Sequence, residues 1–250
     1  MDFHYANDTD DMVSYETING MVRKLRRAEK ISNDYSPLEV AVFGDDFELA
    51  IHILEYPNAS DFGISDIYIN RLLCDVIGQI DRSPWLVNYV DLLIEHGALH
   101  AEIDLPNGSG RTAFDESIMF NHVDVAECLI RAGANVNYIR DIGKLSPLMC
   151  AIQDRNAIES EIMANMLLDY GADIAYKTGW GMTVLDACTH KHRVNIMNRV
   201  ISLNPHDTEG FKKALGWITG QLDQKPEYLR NASKPDTYRI LRNAITNATR

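Results

Sequence analysis

The sequence predicts an all-α protein, a solenoid of helix-turn-helix units with atypical helical segments at both ends. Three observations predict it. Gly-Ala pairs fall at 97–98, 133–134 and 171–172, spaced 36 and 38 residues apart. A period of roughly 20–50 residues marks a stacked-repeat architecture. The hydroxyl residues Thr112, Ser146 and Thr183 stand 34 and 37 residues apart, each ahead of an apolar run. Within the units, apolar or small residues recur at helical spacing, as in Val125, Cys128, Leu129 and Ala132, and again in Met163, Met166, Leu167 and Tyr170. Strand alternation is weak, and no βαβ rhythm is present.

In chain order, "VRKLRRAEK" (22–30) reads as an amphipathic helix with Met21, Val22, Leu25 and Ala28 on one side. It is expected to cap the first unit with its basic face in water; docking on an acidic partner or a membrane surface is the alternative. Residues 36–55 read as a short first pair of helices. Residues 66–98 end like a repeat but lack the hydroxyl start. Residues 110–137, 143–174 and 181–203 are the three clearest units. The second of them carries about four extra residues around "RNAIES", placed by this reading at the turn between its helices. Residues 208–250 read as two more helices, 208–222 and 235–248, interrupted at Lys225-Pro226 and Lys234-Pro235. The expected division is an N-terminal segment 1–35, repeats 36–204 and a C-terminal helical cap 205–250.

"SPLE" (36–39), "TAFD" (112–115) and "TVLD" (183–186) each place an acid three residues after a hydroxyl. That spacing is a helix-start signature. The hydroxyl accepts from a free first-turn amide, and the acid reaches back to the amide of the cap residue. Glu39, Asp115 and Asp186 are therefore expected to serve helix geometry rather than catalysis. Pro37 and Pro147 fit the first helical position, where a missing N–H costs nothing.

The stretches "TAFD", "SPLM" and "TVLD", with "LIRAGANVN" and "LLDYGADIA", resemble the ankyrin repeat. The first three occupy that family's T-P-L-H slot, in which the acid stands where the family usually has His. The other two match its L-L-x-x-G-A-D-V-N helix end. The resemblance covers about residues 36–204 and is most specific over 110–175. It implies a protein-binding scaffold without catalytic residues, cofactor or metal, which holds a partner on first helices and turn tips. Carried over position by position, it points to Glu116, Met119 and Phe120 on the first helix of the central unit, then Gln153 and Asp154, then His190 and Lys191. At the tips it points to Tyr138, Ile139 and Arg140, then Tyr176, Lys177 and Trp180. Phe120, Tyr138, Tyr176 and Trp180 have hot-spot chemistry. The family resemblance also allows hydroxylation at Asn137, although backbone bonding within its turn is the favoured role.

Net charge is −12, with +4 on residues 208–250 and hence −16 on the first 207. That argues against general nucleic-acid binding and favours a protein partner with a basic patch. The four cysteines form no C-x-x-C pair and sit in apolar helix-like runs, so buried free thiols in a reducing cytoplasm are expected. Cys188 and His192 could suggest a metal pair, but a site needs three or four convergent ligands. "NGSG" (107–110) lacks the ending of a phosphate loop. No run reaches the ~20 apolar residues of a membrane span, and the N-terminus carries no secretory pattern. An alternative function is a microbial effector acting on a host protein in the host cytosol, with the repeats as its targeting module.

Overall fold

The computed structural model describes residues 13–97, 103–140, 143–154, 156–204, 208–223, 239–240, 242–243 and 245–247. Twelve α-helices are placed among them and no strand. They fall into two compact units that divide between Asn107 and Gly108.

In the first unit, α1 (Tyr15–Ala28) packs on α2 (Pro37–Phe43) and α3 (Phe47–Leu54), and α4 (Asp66–Ile77) pairs with α5 (Val87–Gly97). The two expected pairs are both present. Helix α1 buries Ile18 and Val22, whereas Ala28, expected on the apolar side, is exposed at the helix end. The hydroxyl start that the sequence reading found missing from the second pair is Ser65. It caps α4 by accepting from the Tyr68 amide at 3.2 Å. The Tyr68 hydroxyl in turn bonds the cap hydroxyl of Ser36. Burial, the largest cause, pushes the Tyr68 phenol well above its usual range.

The second unit stacks three helix pairs: α6 (Ala113–Met119) with α7 (Val123–Arg131), α8 (Pro147–Gln153) with α9 (Ala157–Asp169), and α10 (Val184–Lys191) with α11 (Val194–Leu203). First helices stack on first helices, α6 on α8 on α10, and α12 (Thr208–Asp223) continues that row. The second helices α7, α9 and α11 form a parallel row. Phe114, Leu148 and Leu185, one in each first helix, are at most 3% exposed and make the equivalent core contact. Residues 245–247 are helical and Ile245 is fully buried. The two proline breaks and most of the expected helix 235–248 lie outside the described residues.

One expectation needs correction. The extra residues of the second pair do not lengthen a turn. Helix α9 has 13 residues against 9 in α7, and three residues separate the helices in both pairs. Asn156 caps the longer helix by accepting from the amides of Ile158 and Glu159, so a run that reads as loop filler is absorbed as one more helical turn. The helices end as expected at Gly133 and Gly171, where φ is +105° and +81°. There the Ala134 and Ala172 amides reach back to Leu129 and Leu167, both at 2.9 Å, a closure that favours glycine because a Cβ is strained at positive φ.

All three expected capping boxes form. The Asp115 carboxylate accepts from the Thr112 amide at 3.2 Å and that of Asp186 from the Thr183 amide at 2.9 Å, so the shorter Asp closes the box as Glu39 does at Ser36. Asp115 and Asp186 nevertheless titrate in opposite directions. Burial is the largest influence on both and pushes both upward. At Asp115 it prevails over Thr112 and Arg140. At Asp186 it is outweighed by Lys213, whose ammonium lies 2.7 Å away, together with Thr183. A lowered folded-state value means that stability is present above the ordinary carboxylate range and is lost as pH falls through the folded value. A raised value means the reverse: stability is gained as pH falls through it. We therefore expect Asp186→Asn to cost about 1 kcal/mol at neutral pH, after discounting the half-exposed Lys213, with the deficit shrinking below about pH 4. Asp115→Asn should cost less at neutral pH and lose ground to the parent in acid. Thermal melts of both variants at pH 7 and pH 3.5 check this; equal deficits at both pH values would contradict the role given to Lys213.

Candidate protein-binding groove

The row of first helices is positioned by bonds that cross from one repeat to the next. Asn137 lies at the tip between the first two pairs of the second unit. Its side chain donates to the Gly171 carbonyl at 3.3 Å and accepts from the Asp173 amide at 2.7 Å. The expected bonding was to backbone within its own turn; the bonds are to backbone, but to that of the next tip. The Tyr176 hydroxyl donates to the Lys144 carbonyl at 2.7 Å. Arg193 donates to the carbonyls of Ile152 and Asp154. Since each bond spans some 30–40 residues of sequence, the tips are held in register with one another, as a preorganised binding surface requires.

Four of the expected residues converge. Met119, Arg140, Gln153 and Asp154 line one open groove of about 210 Å³ between α6, the tip after Tyr138 and α8. Asp115, Ile118, Leu145 and Cys150 complete its lining. Met119 is 42% exposed, an apolar side chain offered to solvent at the end of α6. The Arg140 guanidinium donates to the Cys150 sulfur at 2.9 Å, a weak acceptor that leaves most of the five donors of the fork uncommitted in that contact. Burial pushes the Cys150 thiol up, against the pull of Arg140.

The other expected residues are distributed differently. Glu116 is buried and ion-paired with Arg111 at 3.3 Å, so it serves the fold, because an acid on the inner side of α6 finds its counter-ion one residue before the helix cap. Phe120 is half-buried and stacks on His122 with ring centres 6.1 Å apart. Tyr138, Ile139 and Tyr176 are half-buried on their tips, while Lys177, His190 and Lys191 are exposed. Trp180 is 93% exposed. It sits at the apex of a tight turn in which the Gly181 amide bonds the Thr178 carbonyl at 2.8 Å and the Thr178 amide bonds the Met182 carbonyl at 3.0 Å.

Sequence reasoning missed Lys213. Its ammonium bonds the Gly181 carbonyl at 2.7 Å as well as Asp186, and so ties α12 to the Trp180 turn. The only signal available was the basic bias of residues 208–250. Of the possible metal pair, Cys188 is buried, with its thiol pushed up to about 12 by burial, and His192 is the left-handed residue that ends α10. Cys128 and Cys150 are half-buried rather than buried, and all four cysteines are free thiols.

Comparison with known proteins agrees with this geometry. The family described as "Ankyrin repeats (many copies)" matches residues 87–130. A curated relative, the ankyrin repeat and fibronectin type-III domain-containing protein 1 of Danio rerio, is 23% identical over 188 residues, 74% of this chain. The chain spans 11% of that relative's length. Among solved structures, the ankyrin repeat domain of Bcl-3, described as a unique member of the IkappaB protein family, superposes with a TM-score of 0.55. It is 16% identical over 76% of this chain and 82% of that one. An ankyrin repeat domain from Acinetobacter baumannii AYE gives a TM-score of 0.52, at 19% identity over 74% of this chain and 93% of that one. At such identities the likeness to the solved structures concerns the fold alone. Taken with the capped helix pairs, the glycine stops and the bonded tips, it gives the chain the fold of an ankyrin-repeat solenoid, all-α, with residues 87–130 matching the family itself.

Proposed function

We propose that the protein is a non-enzymatic scaffold that holds another protein through the groove between α6 and α8 and the neighbouring tips. The observation that carries the reading is Trp180, an indole 93% exposed on a turn whose backbone is hydrogen-bonded closed. An indole so exposed buries nothing for the fold, the closed turn fixes where its backbone stands, and tryptophan is prominent among interface hot spots. Met119 in the groove supplies a second apolar contact. Arg140, Gln153 and Asp154 share that groove with Met119, and the further contacts assigned to this reading are Tyr138, Ile139, Tyr176 and Lys177 at the tips with His190 and Lys191. Asp115 and Asp154 in the groove, and the net charge of −12, favour a partner whose contacting patch is basic.

Four free thiols suit a reducing compartment such as the cytoplasm, and none of the described helices is long and apolar enough to cross a membrane. The repeats are proposed to occupy residues 36–204, with 1–35 and 205–250 as their caps.

Photo-crosslinking tests the reading. A benzophenone amino acid placed at position 119 or 180 of the full chain should capture the same protein, and one placed at position 158 on α9 should not. Capture of that protein equally well from position 158 would refute the surface assignment.

A further inference from the structure

We propose that the solvated face of α1 is a second docking surface, one that takes an acidic peptide segment of a partner protein. Residues 13–97 carry seven Lys and Arg against fourteen Asp and Glu, yet five of the seven lie between Arg23 and Lys30. One of the five is used by the fold: Arg26 donates to the Tyr35 carbonyl at 2.7 Å and to Asn33. Arg23, Lys24, Arg27 and Lys30 are exposed, and no described acid pairs with any of them. At about 100° per residue, Arg23, Lys24 and Arg27 share one face of α1, opposite Ile18 and Val22. Lys30 follows just past the helix end. Because Ile18 and Val22 are buried, the helix is docked and the cations are held as a fixed stripe about 10 Å long.

Helix stability does not account for the stripe. Cations near a helix C-terminus offset its dipole, which explains Arg26 and Arg27 in the last turn. It does not explain Arg23 and Lys24, which stand further in. Charge complementarity identifies the occupant as anionic, and the surroundings make it narrow. A flat anionic surface would also lie over neighbouring parts of the unit, where residues 13–97 carry fourteen acids and, outside the α1 cluster, only Arg71 and Arg82 as cations. A peptide in extended or helical form touches the stripe alone. The buried apolar side of α1 is also unavailable for insertion between lipids. This surface goes beyond the groove of the second unit and stands without it.

The test uses the full chain and fluorescein-labelled deca-glutamate, followed by fluorescence anisotropy. Binding is expected at 50 mM salt and should weaken at least tenfold at 300 mM. The combined variant Arg23→Gln, Lys24→Gln, Arg27→Gln and Lys30→Gln should weaken it at least tenfold at low salt, with the helical circular dichroism and melting temperature retained. Arg71→Gln with Arg82→Gln should leave it unchanged. No binding, or equal binding by the four-site variant, overturns the proposal. So does stripe-dependent binding to vesicles of seven parts phosphatidylcholine to three parts phosphatidylserine that exceeds binding to the peptide, which would make the ligand a lipid surface. Peptide binding that emerges only when residues 1–12 are removed would assign the stripe to Asp2, Asp8, Asp10 and Asp11 of this chain, and would overturn it equally.

Discussion

Replacing Phe114 by Ala is expected to lower the stability of the second unit by about 3–5 kcal/mol. Phe114 is 1% exposed and is among the largest fully buried side chains of the protein. It stands where α8 and α10 carry Leu148 and Leu185, so the substitution removes an aromatic ring from the layer shared by the stacked first helices. Two terms add: the lost transfer energy of the ring, and the cavity left in a layer whose backbone is tied by capping boxes on α6 and α10 and cannot collapse freely. In a domain with a total stability of about 5–15 kcal/mol, that loss would bring the unit close to unfolding at ambient temperature. Urea titration followed by far-ultraviolet circular dichroism measures it. The midpoint should fall steeply. Met119→Ala, on the same helix but exposed, should shift stability by no more than about 0.5 kcal/mol. Similar losses for the two variants would contradict the separation of core from groove on α6.

The second large effect concerns binding. Met119→Ala combined with Trp180→Ala is expected to weaken binding of the partner captured by crosslinking by about 30-fold or more, the sum of two hot-spot losses of roughly 1–3 kcal/mol each. Calorimetric titration would measure it, with the melting temperature of the double variant as the control. The choice of Met119 follows from the structure. Sequence reasoning had favoured Phe120 for its aromatic body, but that ring is already stacked on His122, so its truncation would disturb the end of α6 as well as any contact. Unchanged affinity in a folded double variant would refute the proposed surface. Retained affinity with a lower melting temperature would mean that the two side chains serve the fold.

The repeat was legible because its signals are local. A hydroxyl at the helix start, an acid three residues on and a glycine after the last turn each act within one turn of chain. Position along the sequence therefore reveals them: Thr112 with Asp115, Thr183 with Asp186, and Gly133 and Gly171. The site was legible in part. Met119, Arg140, Gln153 and Asp154 were named in advance and line one groove. Glu116 was named too, but it turned out to be buried against Arg111. Whether an inward acid is offered to a ligand or neutralised internally depends on where a flexible arginine folds, and no periodicity records that.

The sequence by itself determined the fold class, the starts of four first helices at Ser36, Thr112, Ser146 and Thr183 and the character of the capping acids, because these depend on backbone groups within a few residues of one another; it placed the first helix at 22–30, where α1 begins at Tyr15. The tertiary structure decided the rest. It turned four extra residues into a longer α9, made Ser65 the missing helix cap and left the Cys150 thiol against the Arg140 guanidinium. It also brought Lys213 across 27 residues of sequence to Asp186, so that two identical capping boxes titrate in opposite directions. The physical reason is the reach of the interactions: caps and glycine stops close within a single turn, whereas burial and charge pairing depend on which distant segments the stacking brings together.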